Sequence, residues 1–237
     1  MKRDNSIIKS FINIYSYITN PKLIKACMYA SLLIFLPSLT LGVIIAFFFG
    51  PEGYTIWDNY ISDLGSFNYT PAPFLLDFSA MITSILFIPI FIYFASLLFK
   101  DYEEYPGVFG KVFSIITKII SIIGLFFLFL AIIGFFGIGL FSEDRTTELG
   151  LHLKFSVLVF GAFGLASLYN GVVIMLKDTM FYKAIGLFMF FATPATGILF
   201  IINPTSLSQP FLEWMILFSI MIWIIPIYII IHKTLKT

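Results

Sequence analysis

The chain has 237 residues, of which 59% are hydrophobic and 11% charged, with 30 phenylalanines and a mean hydropathy of +1.00. A water-soluble domain carries about 25% charged residues, so a soluble globular enzyme is excluded, and the apolar content excludes disorder as well. A formal net charge of +1 leaves no electrostatic footprint for a nucleic acid, and a single cysteine, Cys27, can build neither an internal disulfide nor a thiolate metal site.

The first 25 residues stand apart. Ile7, Ile8, Phe11, Ile12, Tyr15 and Ile18 recur at helical spacing, accompanied by Lys2, Arg3 and Lys9. This pattern predicts an amphipathic helix lying on a membrane surface and ending near Asn20-Pro21. Polar residues interrupt its apolar stretch and no small-x-small motif follows, which argues against a cleaved signal peptide.

Six runs of spanning length then follow, at 26–49, 73–99, 111–141, 151–176, 181–202 and 211–232. A membrane crossing needs about 20 apolar residues, so the expected fold is all-α: one transmembrane domain over 26–237 with six spans. The third run exceeds the need and implies tilt or extension beyond the lipid. Most of the 14 Lys and Arg fall at the N-terminus, beside the second and fourth loops (Lys100, Lys111, Lys177, Lys183) and at the C-terminus. Arg145 and Lys154 fall on the other side, and Lys118 within the third run is placed to snorkel toward the basic side. The basic bias predicts both termini on the cytoplasmic side. The Ile- and Lys-rich composition points to a prokaryotic cell membrane.

Polar chemistry gathers on the opposite side. The first loop, 50–71, contains WDNYISDLGS and no Lys or Arg. Trp57 and Tyr60 suit a membrane–water boundary. Asp58 and Ser62, four apart, share a face if this stretch is helical, and Gly65 can end a turn at positive φ. One reading is an interfacial re-entrant helix with capping polar groups; the other is one wall of a polar pocket. Asp77, one turn into the second span, is costly there and calls for a partner, either Arg145 or Lys154, or a water-filled cavity. His152 opens the fourth span four residues after Glu148, on one helical face with it. Glu213, beside Trp214, stands at the start of the sixth span as part of an acidic rim.

The ligand-binding candidates are therefore Asp58, Ser62, Asp63, Asp77 and His152. Ser62, Asp63 and His152 are also the candidates for catalysis, with Ser62 as nucleophile and Asp63 or His152 as acid/base. No cofactor motif is present. No metal centre is expected, because the second histidine, His232, lies at the far membrane face. Gly134, Gly137 and Gly139 in the third span and Gly161, Gly164 and Gly171 in the fourth allow close helix contact. Pro37, Pro89, Pro194 and Pro226 fall inside spans.

ISDLG at 61–65, followed by GLFSEDRTTELGLHLKFSVLVF at 139–160, resembles the family of six-span membrane proteins known as domain of unknown function 998 (DUF998). The likeness covers roughly residues 26–232 and carries over to Ile61, Ser62, Asp63, Leu64, Gly65 and His152. ISDLG is also similar, more distantly, to the FRAG/DRAM/SFK group, whose members are linked to lipid remodelling; that likeness implies a lipid-related role. The leading expectation is a non-catalytic protein that binds or organises membrane lipid or a small amphiphile. The alternatives are a membrane-embedded hydrolase or transferase of lipid head groups and a small-solute transporter. The near absence of charge from the middles of the spans counts against the last. Self-association is left open by the sequence.

Overall fold

A computed structural model describes residues 2–101 and 106–235, apart from the side chains of residues 2–8 and 11. Seven α-helices are present among them: α1 Lys2–Ile18, α2 Pro21–Phe49, α3 Phe74–Phe99, α4 Gly107–Leu140, α5 Leu151–Leu176, α6 Lys183–Ile202 and α7 Gln209–Thr234. Short 3₁₀ turns occupy Ser62–Gly65 and Glu143–Arg145. Helices α2 to α7 are each long and apolar enough to cross a membrane, so the protein is an all-α, multi-pass membrane protein.

Helix ends follow local chemistry. Spanning helix α2 begins at Pro21, five residues before the apolar run, because the Asn20 side chain accepts from the Lys22 N–H at 2.9 Å and Pro21 fits the first helical turn. The chain enters α5 through Gly150 at φ 62, a left-handed conformation that costs glycine little. Ser208 caps α7 by accepting from the Phe211 N–H at 3.2 Å. The four prolines at 37, 89, 194 and 226 are all inside helices. In α1, Ile12 and Tyr15 are exposed, as the surface-helix reading needs, but so are Ile14 and Tyr17. The side chains of Lys2, Arg3, Ile7, Ile8 and Phe11, and all of Lys236, lie outside the described residues.

Spanning helices pack against their sequence neighbours, and α5 also meets α7. The core is aromatic: Phe163 stands edge-on to Phe87, Phe91 and Trp223. Glycines set the closest crossings. A Cβ on Gly134 would sit 2.6 Å from the Val159 backbone, one on Gly139 2.4 Å from the Asp77 carbonyl, and one on Gly171 2.7 Å from the Gly186 carbonyl. Gly161 and Gly164 have nothing within 4 Å, so they take no part in such contacts.

The connections 50–73, 141–150 and 203–208 gather at one end of the bundle, termed the site end. At the other, basic end, Asp101 pairs with Lys118 and, at 2.9 Å, with fully buried Lys177, whose Nζ also donates to the Leu98 carbonyl. Lys118 is therefore held by a carboxylate rather than snorkelling freely. The two cations hold the Asp101 carboxyl down to about 2.

Candidate functional site

The first loop is held as a wall rather than left as a flexible cap. Tyr54, 2% exposed, donates its hydroxyl to the Tyr60 carbonyl at 2.6 Å. The first turns of α7 supply a rail for the loop. Ser208 donates to the Trp57 carbonyl, Trp214 Nε1 donates to the Asn59 carbonyl at 3.1 Å, and the Tyr60 hydroxyl donates to Gln209 Oε1 at 3.0 Å. The Ile61 N–H donates to Glu213 Oε2 at 2.7 Å. On the opposite flank Asp144 accepts from the Ser66 hydroxyl at 2.7 Å and the Phe67 N–H at 2.6 Å, joining the first loop to the third. Backbone groups lowered into an apolar bundle need such partners.

ISDLG lies within this wall as a single 3₁₀ turn, not a re-entrant helix. Its glycine does not serve a positive φ. A Cβ at Gly65 would meet Asp77 Oδ1 at 2.9 Å, so close approach of loop to α3 is what requires glycine here. Asp77, 3% exposed, pairs through Oδ2 with Arg145 Nη2 at 2.7 Å; of the two candidate partners Arg145 holds it, and Lys154 is exposed. The same Nη2 donates to the Gly139 carbonyl at 2.8 Å, so Arg145 also caps the end of α4.

Around Asp77 is a small chamber of about 30 Å³, mostly apolar in surface, with Ser62, Asp77, Ser142, His152, Ser156 and Glu213 as its polar lining residues. Three of the five predicted binding residues, Ser62, Asp77 and His152, thus meet. Asp58 does not: it is exposed and accepts from the Thr55 hydroxyl at 2.6 Å in a loop turn, so the Asp58–Ser62 helical face does not form. Asp63 does not line the chamber either. Its carboxylate turns back to the Tyr60 N–H at 2.9 Å. Burial pushes Asp63 up to about 6, against the Tyr60 N–H, and neighbouring Glu143 adds to the rise. Glu143 is itself raised, by burial and by Asp144. Glu148 precedes the start of α5 at Leu151 and shares no helical face with His152.

His152 is oriented by its backbone. Nδ1 lies 2.8 Å from the Phe141 carbonyl, which can only accept, so Nδ1 carries a proton and Nε2 is the nitrogen left for the chamber. Ser142, 1% exposed, has a hydroxyl with no partner among the described residues. Glu213 is only 6% exposed, a buried wall and not part of a rim. Ser142, Ser156 and Glu213 were not singled out as site residues by sequence. The available signal for Glu213 was its position as the lone carboxylate of α7.

Beneath the chamber is a second cavity, of about 80 Å³ and almost wholly apolar. Ile61, Leu76, Ile138 and Phe160 line both, so the two are adjacent, with these four apolar side chains as their shared wall. The lower cavity is bounded by α2, α3, α4, α5 and α7, and one of its lining residues, Ile225, is exposed at the surface of the bundle. Those two helices are bridged at the basic end, by the Ser31 and Tyr228 hydroxyls 3.2 Å apart and by Tyr29 against His232. Thr83 places an unpartnered hydroxyl along the cavity. Among the described residues no group of three His, Cys, Asp or Glu is placed to hold a metal ion. No protein-family model, curated protein or solved structure matches the chain.

Proposed function

We propose that this membrane protein binds a lipid or small amphiphile, with the polar head in the upper chamber and the chain in the apolar cavity below. The observation that carries the reading is the stacking of the two spaces, which share only the apolar side chains of Ile61, Leu76, Ile138 and Phe160 as a wall that an entering chain would have to part. An amphiphile needs this pairing, a few hydrogen-bonding groups above an apolar slot. Ile225, on the lining and exposed at the bundle surface, marks where a ligand from the bilayer would enter. The basic bias supports a site end facing away from the cytoplasm and both termini cytoplasmic, and the Ile- and Lys-rich composition supports a prokaryotic cell membrane. The likeness of ISDLG, with the six-span layout, to the FRAG/DRAM/SFK group agrees with a lipid role by analogy.

The test is lipid mass spectrometry on gently purified wild-type, His152→Ala and Leu217→Trp protein. Leu217 is a half-buried cavity-lining residue, and tryptophan there fills the slot. A defined lipid retained by wild type and depleted in both variants supports the reading. Identical bulk lipid in all three overturns it.

One observation favours a second reading, head-group hydrolysis or transfer. The Nδ1 bond to Phe141 leaves His152 Nε2 available as a base beside the hydroxyls of the chamber. Asp63, turned away, has no direct part in that reading. Turnover of the retained lipid that disappears in His152→Ala supports it, and turnover unchanged by that substitution excludes it.

A further inference from the structure

We infer that the chamber selects a single-chain amphiphile whose head is a small cationic hydrogen-bond donor, a primary amine, and rejects phosphate and carboxylate heads. This rests on the amphiphile reading above and adds the chemistry of the head. The chamber's lining contains two carboxylates, three hydroxyls and an imidazole, and no Lys or Arg. The nearest guanidinium, Arg145, is committed to Asp77 and to the Gly139 carbonyl. That leaves Glu213 as a buried carboxylate with one described donor, the Ile61 N–H, and no cationic partner among the described residues. The charges nearest to it, Asp63 and Glu143, are of the same sign. A buried carboxylate without a cationic partner either holds a proton or recruits a cation, so it takes an arriving ammonium in preference to an anion. An anionic head meets the reverse: repulsion and no donor but hydroxyls.

The orphan hydroxyl of Ser142 is independent evidence that something polar completes the chamber. It is 1% exposed, has no partner among the described residues and lines the same space. The volume limits the head. About 30 Å³ of such space accommodates roughly two waters' worth of polar atoms, which admits an ammonium group and excludes a sugar or a phosphodiester.

The experiment is equilibrium binding of radiolabelled hexadecylamine, hexadecanol, palmitate and hexadecyl phosphate to the full chain in phosphatidylcholine nanodiscs at pH 7. The expected result is hexadecylamine bound at least tenfold more tightly than the two anions and more tightly than the alcohol. Glu213→Gln, which retains an acceptor for the Ile61 N–H, then removes the preference of amine over alcohol, about tenfold or 1.4 kcal/mol. Ser142→Ala weakens amine binding a few-fold, and exposed Asp58→Asn changes nothing. Equal binding of all four heads, lost in Leu217→Trp, overturns the head-group inference and leaves the cavity reading standing. Preference for an anion, or amine preference intact in Glu213→Gln, overturns the inference outright. No saturable binding of any of the four overturns the amphiphile reading itself.

Discussion

Replacing Arg145 by glutamine tests how the site end is held. Arg145 Nη2 lies 2.7 Å from Asp77 Oδ2, with Asp77 3% exposed and the arginine side chain 52% exposed. Breaking a fully buried pair costs about 3–5 kcal/mol, and an exposed pair contributes only about 0–1. One partner here is buried and the other half in solvent, so the loss of the pair is placed near 2 kcal/mol. Losing the bonds to the Gly139 and Leu140 carbonyls adds less than about 1 kcal/mol, since water replaces the donor at a half-exposed site. A total of about 2–3 kcal/mol lowers Tm by roughly 5–10 °C for a chain of this size. Cys27, the single cysteine and buried in α2, provides the readout: a fluorogenic maleimide reports its exposure as detergent-solubilised protein is heated. Asp77→Asn in the Arg145→Gln background removes the unpaired carboxylate and restores part of the loss, giving a coupling above about 1 kcal/mol. Additive single substitutions, or an Arg145→Gln variant as stable as wild type, would refute the view that this pair anchors the loop wall.

Three further outcomes follow from the same coordinates. Asp63 titrates near 6 in the fold against about 3.9 in an unfolded chain, so the native state binds the proton more tightly. Stability therefore rises as pH falls from 7 through 6, reaches its full gain of roughly 2–3 kcal/mol below about 4, and is lost again as pH rises; Asp63→Asn flattens that part of the Tm–pH profile. Asp101, held down to about 2 by Lys118 and Lys177, acts in the opposite direction: its contribution is present above about 4 and is lost as pH falls toward 2. Asp101→Asn leaves Lys177 buried without its carboxylate and costs on the order of 2 kcal/mol at pH 7 by the same melting assay. Gly139→Ala places a Cβ 2.4 Å from the Asp77 carbonyl and lowers Tm, whereas Gly161→Ala, with nothing within 4 Å, is neutral or stabilising by up to about 1 kcal/mol; equal effects at the two glycines would contradict the crossing geometry.

The six spans were legible because burial in lipid demands long apolar runs, and that demand leaves a mark in each segment by itself. Their ends were less so. The early start of α2 depends on one side-chain cap at Asn20, inside a stretch whose composition looks like a surface helix. At the site end, Ser62, Asp77 and His152 stood out because ionisable and hydroxyl groups are conspicuous beside apolar runs, and all three line one chamber. Asp63 was equally conspicuous but faces its own backbone, since a 3₁₀ turn sends neighbouring side chains in different directions. Ser142 and Ser156 are ordinary in sequence and acquire meaning only through packing across distant helices, while Glu213 was visible as a carboxylate at a span's start but its burial beside the first loop was not. The choice of Arg145 over Lys154 for Asp77 depends likewise on where α4 ends, with Gly139 drawing the two helices together.

The same closeness explains why loop and site are one construction. Glycine at 139 brings α4 onto α3 at Asp77, and glycine at 65 brings the first loop onto the same carboxylate. Arg145 then neutralises a group that both approaches have desolvated. On the far side, Glu213 takes the Ile61 N–H that the descending loop would otherwise leave unpaired. Two carboxylates thus position one loop from two helices, but only Asp77 has a cation of its own among the described residues. On the proposed amphiphile reading the asymmetry matters, because a structural wall alone is satisfied by a neutral acceptor at 213. A carboxylate there places an ionisable group in a chamber that adjoins an apolar cavity, and that is what an amphiphile of opposite sign could read. Glu213→Gln separates the two roles: it retains the acceptor for Ile61 and removes the charge, so a fold that survives with its ligand preference altered assigns the wall to the acceptor and the selectivity to the charge.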